Sequence, residues 1–151
     1  QLQQAVVTRV ALETFTSPAE AAKRIFPEIE AWERKREEQI VAELLNAATI
    51  SARAAVGLEP TLKFIQEGRA SLMVIVRGFD REVFECPHCR FINTGSNQLC
   101  SRCGADGLRK VSAAAVLPQL VVQFHVPIEI VAGPAGQELA KNGGIGVLLR
   151  F

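Results

Sequence analysis

The chain has 151 residues, of which 48% are hydrophobic and 22% are charged, and its formal net charge is +1. This composition excludes a disordered chain, and the length fits one domain with short extra segments. The near-neutral charge gives no general reason to expect a nucleic-acid or membrane partner. Because the chain starts at Gln1 without a signal-like or membrane-spanning segment, we expect a fragment of a longer, cytoplasmic protein.

The first 50 residues predict a strand and then a long helix. Residues 6–13 alternate apolar and polar side chains, as a half-buried strand does. Ser17, Pro18 and Glu20 form a helix-start signature, and Pro27 predicts a kink or a restart. Charges of both signs in residues 28–38 indicate a solvated helix face. The helix is expected to be exposed through its middle. Its apolar stripe, at helical spacing, contains Ala22, Phe26, Ile29 and Trp32 and is renewed at Ile40, Val41, Leu44 and Leu45.

The rest of the chain alternates predicted strands and helices around a cysteine-containing segment. Five consecutive apolar residues at 72–76 indicate a strand covered on both faces, as in a parallel or mixed sheet. The alternation predicts the α/β fold class. The predicted strands are 50–57, 72–76, 126–131 and 145–151, and the predicted helices are 59–68, 117–124 with Pro118 in its first turn, and 137–141 after a loop at 133–136.

Four cysteines in the pattern C-x2-C-x10-C-x2-C predict a metal site: Cys86, Cys89, Cys100 and Cys103. Each pair can form a tight turn, or knuckle, that directs two sulfurs at one ion, and Gly104 follows the second pair where a positive φ is needed. We expect structural Zn²⁺ with a full shell of four thiolates. A rubredoxin-like iron site has the same ligands, and two disulfides are a further alternative.

The other polar residues near the cysteines predict no additional ligand. We interpret His88 and His125 as ordinary polar residues. The basic residues around the insert slightly outnumber the acidic ones, which indicates a solvated surface or a weak contact with an RNA backbone. These residues are Arg81, Arg90, Arg102, Arg109 and Lys110, with Glu82, Glu85 and Asp106.

The sequence contains no recognisable catalytic motif. It lacks a phosphate-binding P-loop, the dinucleotide fingerprint, a nucleophile elbow and a zinc-protease signature, and no nucleophile stands beside a base. The glycines at 143–146 are followed by neither a lysine nor a helix start, so we interpret them as a turn before the last strand.

Several short motifs, in order, resemble the third domain of archaeal and eukaryotic class I peptide-chain release factors and their relative Pelota. Residues 57–70 resemble its helix, glycine and strand segment, and 72–76 match the following strand. The double knuckle lies where archaeal members carry a zinc insert, and residues 143–151 resemble the closing strand. Residues 6–37 resemble the junction from the middle domain in the bacterial branch of this family.

The resemblance implies a three-layer α-β-α sandwich with a mixed sheet, related to the kink-turn-binding ribosomal proteins. It implies a linker from the preceding domain at 1–37 and the release-factor-like domain at 38–151, with the zinc insert at 82–110. The family's Gly-Gly-Gln tripeptide, which promotes peptidyl-tRNA hydrolysis, belongs to the middle domain and is absent here, because Ala135 precedes Gly136 and Gln137.

The resemblance also implies a non-catalytic domain that binds partners at the ribosome in termination, rescue of stalled ribosomes or dormancy. The expected partners are the ribosome and a translational GTPase or recycling ATPase, with at most weak contact to ribosomal RNA and none with DNA or membranes. A direct structured-RNA-binding module and a rubredoxin-like electron carrier remain alternative functions.

Overall fold

The computed structural model describes residues 6–51, 53–95 and 99–150. No helix in these ranges is long and apolar enough to cross a membrane. The helices are α1 (Pro18–Ile50), α2 (Leu58–Gln66), α3 (Ala113–Gln123) and α4 (Gly133–Lys141). The strands are β1 (Ala54–Val56), β2 (Ala70–Val76), β3 (Glu82–Glu85), β4 (Ile92–Asn93), β5 (Arg109–Ser112), β6 (Ile128–Val131) and β7 (Ile145–Leu149).

The central sheet is mixed, as the sequence predicted, and its strand order is β1-β7-β2-β6. Strand β7 is antiparallel to both β1 and β2, whereas β2 and β6 are parallel. The parallel pair needs a crossover, and the cysteine-containing segment together with α3 supplies it.

Two apolar clusters show that helices cover both faces of this sheet. On one face α2 and α3 bury Leu62, Ile65 and Leu117 against Met73 of β2. On the other face the buried side chains include Val41 and Leu44 of α1, Leu139 of α4 and Val74 of β2. The three-layer α-β-α sandwich is therefore confirmed.

Helix α1 begins where its capping signal predicted, and its C-terminal half packs on the sheet. The Ser17 hydroxyl accepts a hydrogen bond from the backbone N–H of Glu20 at 3.3 Å. The helix is continuous through Pro27, so the alternative of a restart there is wrong. At the sheet edge Arg36 donates to Glu129 at 2.9 Å, and Glu37 accepts from the backbone N–H of Ala132 at 2.9 Å.

Two predictions for the N-terminal segment are wrong. Residues 6–13 form no strand within the described chain, and Val6, Val7 and Leu12 are exposed. Alternation alone does not form a strand, because a strand also needs a sheet edge with which to pair. The apolar stripe predicted for the first half of α1 is also uncovered at Phe26 and Trp32, which are 61% and 41% exposed.

Several element boundaries differ from the predicted ones. Helix α3 begins at Ala113, so Pro118 lies inside the helix and not in its first turn. Helix α4 begins at Gly133, so the loop predicted at 133–136 is its first turn. The glycines at 143 and 144 form the predicted turn before β7. Strand β7 ends at Leu149, and the predicted extension to Phe151 lies outside the described residues.

A side chain that is distant in sequence explains why α3 begins earlier than predicted. The carboxylate of Asp80 accepts hydrogen bonds from the Ser112 hydroxyl at 2.6 Å and from the backbone N–H of Ala114 at 3.2 Å. The Ser112 bond and then the Ala114 bond hold the pKa of Asp80 below its usual value. Asp80 therefore caps the helix from the β2–β3 connection, which local sequence could not indicate.

Candidate metal centre

The four cysteines lie in two turns of the insert, which forms a small antiparallel sheet and comes between β2 and α3 in the chain. Its strand order is β4-β3-β5, and β3 pairs with β5 from Glu82↔Ser112 to Glu85↔Arg109. This pairing brings the two ends of the insert together at the edge of the main domain. Val83 of β3 and Ile92 of β4 join the apolar cluster beneath α2 and α3, so the insert shares the domain's core.

The two cysteine turns have the same backbone geometry. The N–H of Arg90 bonds to Cys86 O at 3.0 Å, and the N–H of Gly104 bonds to Cys100 O at 2.9 Å. The residue after each pair has positive φ, 60° at Arg90 and 72° at Gly104. The positive φ predicted at Gly104 is confirmed. Arg90 shows that the same conformation is reached without glycine, which the sequence did not indicate.

The sulfur positions fit a tetrahedral metal site. All four Sγ atoms lie within 4.8 Å of one another. Cys86 and Cys103 are 3.7 Å apart, and Cys89 and Cys100 are 3.6 Å apart. A tetrahedron with metal–sulfur bonds of about 2.3 Å has edges of about 3.8 Å. The four cysteines can therefore hold a metal ion, although their assignment as its ligands stays a prediction.

Two of the four thiols have pKa values that are shifted in opposite directions. Burial, with a smaller contribution from the neighbouring thiols, raises the pKa of Cys89 to about 12. Burial also opposes ionisation of Cys100, but backbone hydrogen bonds at Cys103 and Arg102 outweigh it and lower its pKa to about 6. Four adjacent thiolates repel one another unless a cation neutralises them.

Asn93 connects the two cysteine turns from a buried position. Its side-chain oxygen accepts from the Ser101 hydroxyl at 2.7 Å and from the Ser101 N–H at 3.1 Å. Its amide nitrogen lies 3.8 Å from Cys100 Sγ and 3.3 Å from Phe91 O. This contact orients the turns around the sulfurs. The sequence spacing gave no signal for Asn93.

Gln66 joins the insert to α2, because its side-chain amide makes the two hydrogen bonds to Ile92 that a neighbouring strand would make. Its side-chain oxygen accepts from the Ile92 N–H at 2.8 Å, and its amide nitrogen donates to the Ile92 carbonyl at 3.1 Å. Both main-chain groups of this edge residue are thereby satisfied, and Ile92 is only 5% exposed. The last turn of α2 therefore fixes the position of the insert.

Replacing Gln66 with alanine is expected to destabilise the domain by about 1–3 kcal/mol, because the buried N–H and C=O of Ile92 lose their partners. Glu67→Ala is the matched control, since it truncates the neighbouring side chain, which pairs with Arg69 at 3.6 Å and does not hold Ile92. We expect Gln66→Ala to lower the melting temperature more than Glu67→Ala. Equal melting of Gln66→Ala and the wild type would contradict this role.

The histidines and the basic residues of the insert that the sequence singled out are not part of the cysteine cluster. His88 and His125 are exposed, and within the described ranges the four cysteines are the one group of metal-ligating residues close enough to share an ion. Two basic residues of the insert pair with acidic ones, Lys110 with Glu82 at 2.5 Å and Arg90 with Glu85 at 2.6 Å. These pairs reduce the positive charge that RNA would meet.

Sequence comparison finds neither a matching family model nor a matching curated protein. Solved structures do match. The C-terminal domain of a peptide chain release factor from Methanosarcina mazei superposes with a TM-score of 0.59 at 13% identity, covering 91% of this chain and 98% of that one.

Two Pelota structures also match. The Archaeoglobus fulgidus protein gives a TM-score of 0.59 at 15% identity, covering 94% of this chain and 39% of that chain. The Thermoplasma acidophilum protein gives 0.50 at 20% identity, covering 99% and 41%. The chain therefore spans about two fifths of each Pelota protein. It therefore has the same fold as the release-factor C-terminal domain and as the matching part of the two Pelota structures.

Proposed function

We propose that this chain is a non-catalytic, partner-binding domain of a release-factor-like protein that acts at the ribosome in the cytoplasm. The observation that carries the proposal is the match to an archaeal release-factor C-terminal domain along 98% of that domain's length. The partners proposed are the ribosome and a translational GTPase or recycling ATPase. Termination, rescue of stalled ribosomes and dormancy are the processes in which such a domain would act.

The cysteine site supports a structural rather than a catalytic role for the metal. We propose Zn²⁺ held by Cys86, Cys89, Cys100 and Cys103. Four thiolates complete a tetrahedral shell and leave no position for a reacting water, so the ion would stabilise the insert. The shared core at Val83 and Ile92 would transmit that stabilisation to the main sheet.

Ribosome binding tests the proposed function. The full-length protein should co-sediment with purified ribosomes, and deletion of residues 38–151 should weaken binding to a purified translational GTPase or recycling ATPase. The isolated chain should show little salt-dependent binding to ribosomal RNA. Binding to naked structured RNA with a steep salt dependence, and none to either protein, would favour the direct RNA-binding alternative instead.

A further inference from the structure

Strand β6 is an open edge of the central sheet. In the described part of the chain it pairs only with β2. The backbone carbonyls of Pro127 and Val131 accept 2.9 Å hydrogen bonds from β2 and from the residue that follows it. Because successive residues of a strand direct their N–H and C=O groups to opposite sides, those of Ile128 and Ile130 point away from β2. The outer side of β6 therefore presents main-chain donors and acceptors at the spacing of a strand.

The same two residues expose large apolar side chains. Ile128 is 39% and Ile130 is 54% exposed. In the β2–β6 register they lie beside Met73 and Ile75, so they share the sheet face that α2 and α3 cover further inward. Charged side chains commonly protect an exposed edge, but Glu129, the charged residue of β6, lies on the opposite face. The edge therefore carries an accessible apolar strip.

Helix α1 places an aromatic side chain near the other face of this edge. Glu129 accepts a hydrogen bond from Arg36 at 2.9 Å, and the Arg36 guanidinium carbon lies 5.8 Å from the centroid of the Trp32 ring. Trp32 remains 41% exposed. A strand added at β6 would thus find apolar surface on both of its faces.

Glu37 marks where the open edge ends. Its carboxylate accepts a 2.9 Å hydrogen bond from the backbone N–H of Ala132, which is the next outward-facing residue after Ile130. This donor is therefore already satisfied within the chain. The free part of the edge is Ile128–Ile130.

We propose that β6 binds an extended segment of a partner protein, which adds a fifth strand to the four-stranded central sheet. Main-chain groups at strand spacing match the main chain of another strand, and apolar side chains at alternate positions of the segment cover Ile128 and Ile130. The inference rests on the proposed partner-binding function and assigns a surface to it.

A second copy of this chain fits the edge less well. Two antiparallel β6 strands overlap fully only when Glu129 lies opposite the same residue of the second copy, and like charges directly opposite each other destabilise a sheet. The next registers in either direction pair an isoleucine with Ala132 or Val126, whose N–H groups already bond within the chain. A segment of a different protein avoids both problems.

Hydrogen exchange in the free 151-residue chain, followed by NMR, is the first test. The amides of Glu129 and Val131 face β2 and should be protected, whereas those of Ile128 and Ile130 should exchange about ten-fold faster or more. Protection of the Ile128 and Ile130 amides in a monomer would overturn the proposal, because the edge would already be occupied.

A display library of random 12-residue peptides, selected on the same chain, supplies the probe. The recovered peptides should be enriched in β-branched and aromatic residues at alternate positions. When such a peptide binds, the exchange of the Ile128 and Ile130 amides should slow about ten-fold or more. Docking through side chains alone would leave both amides unprotected.

Two variants of β6 should weaken peptide binding, as measured by fluorescence polarisation. Ile130→Pro removes an outward N–H and leaves the hydrogen bonds to β2 in place, so it should abolish binding. Ile128→Lys/Ile130→Lys changes no main-chain group and should weaken binding about ten-fold or more, because the apolar contacts are lost and the edge becomes charged.

The matched control is Ile50→Lys/Leu99→Lys, which adds the same charges at exposed apolar positions outside β6. Its peptide affinity should stay within about two-fold of the wild type. Melting temperatures of all the variants show which of them remain folded. The double lysine variant keeps the test valid even if Ile130→Pro does not fold, since both of its positions are exposed.

Three results would overturn the edge assignment: no enriched peptides, no slower exchange at Ile128 and Ile130 on binding, or equal binding to Ile128→Lys/Ile130→Lys. A free chain that sediments as a dimer, and returns to a monomer in that variant, would assign the edge to a second copy. Ribosome co-sedimentation of the full-length protein separates the two levels. If it persists while peptide binding fails, only the edge assignment falls; if the wild type does not co-sediment, the proposed function falls.

Discussion

Replacing Cys100 with serine is expected to abolish binding of the proposed Zn²⁺ and unfold the insert, with a loss of stability of several kcal/mol. Cys100 is only 3% exposed and accepts hydrogen bonds from its own turn and from Asn93. A serine oxygen is a poor replacement for a thiolate on Zn²⁺. Because metal binding supplies the folding energy of such small modules, the three-stranded sheet should lose its order.

The damage should extend into the main domain. Val83 and Ile92 belong to the same apolar cluster as Leu62, Ile65 and Met73, so an unfolded insert exposes part of the core under α2 and α3. Thermal unfolding with and without chelator measures the loss, and elemental analysis should find about one zinc per chain. A red, iron-containing protein would instead favour the rubredoxin-like alternative.

His88→Ala is the matched control for the metal prediction. His88 lies between Cys86 and Cys89 but is exposed, and the sequence gave it no ligand role. The variant should retain its metal and melt like the wild type. If His88→Ala lost the ion, or if Cys100→Ser kept both the ion and the stability, the four-cysteine assignment would be wrong.

Replacing Gly146 with alanine is expected to destabilise the domain by about 1–3 kcal/mol, because the new methyl group has no space. A Cβ at this position would lie 2.8 Å from Leu44 Cδ2 and 2.9 Å from the carbonyl oxygen of Ala55. Strand β7 is an interior strand, paired on both sides, so it cannot shift without breaking the ladder with β1 or β2. The buried Leu44 side chain would have to change its conformation, and the backbone of β1 at Ala55 would have to shift.

Gly136→Ala serves as the comparison for this prediction. It also adds one methyl group to a buried glycine, but the nearest atom, Val131 O, is 3.2 Å away, and the residue lies in α4, where alanine favours the helix. Chemical unfolding should therefore show a much smaller change for Gly136→Ala. If the two variants unfolded at the same denaturant concentration, the close approach of α1 to β7 would be contradicted.

The two ends of α1 show which features of a helix can be predicted from its sequence pattern. Ser17, Pro18 and Glu20 located the start of the helix, because a cap is a local interaction within one turn. The apolar residues along the helix were predicted to form a stripe with an exposed middle of the helix between its two ends, yet Val41 and Leu44 are buried while Phe26, near the first end, is exposed. Periodicity predicts which residues share one face of a helix, but it does not predict how much of that face a neighbouring layer covers.

The same distinction separates the cysteine site from its supports. The spacing of the four cysteines was sufficient to predict their approach, because each C-x2-C turn is local and only the pairing of the two turns is distant. Gln66 and Asn93 gave no signal. The Gln66 contact spans 26 residues and forms only when the insert folds against α2, and the Asn93 contact spans 8 residues and forms only when the insert itself folds.

By itself, the sequence determined the α/β class, the helix start at Ser17, the fully covered strand β2 and the cysteine cluster, since each follows from local periodicity, capping or spacing. Tertiary structure decided which features had partners. Residues 6–13 have a strand pattern but pair with no sheet edge in the described chain, whereas Asp80 caps a helix more than 30 residues away. The open edge at β6 likewise exists only in the folded sheet, because the spatial order of the strands decides which of them lies outermost.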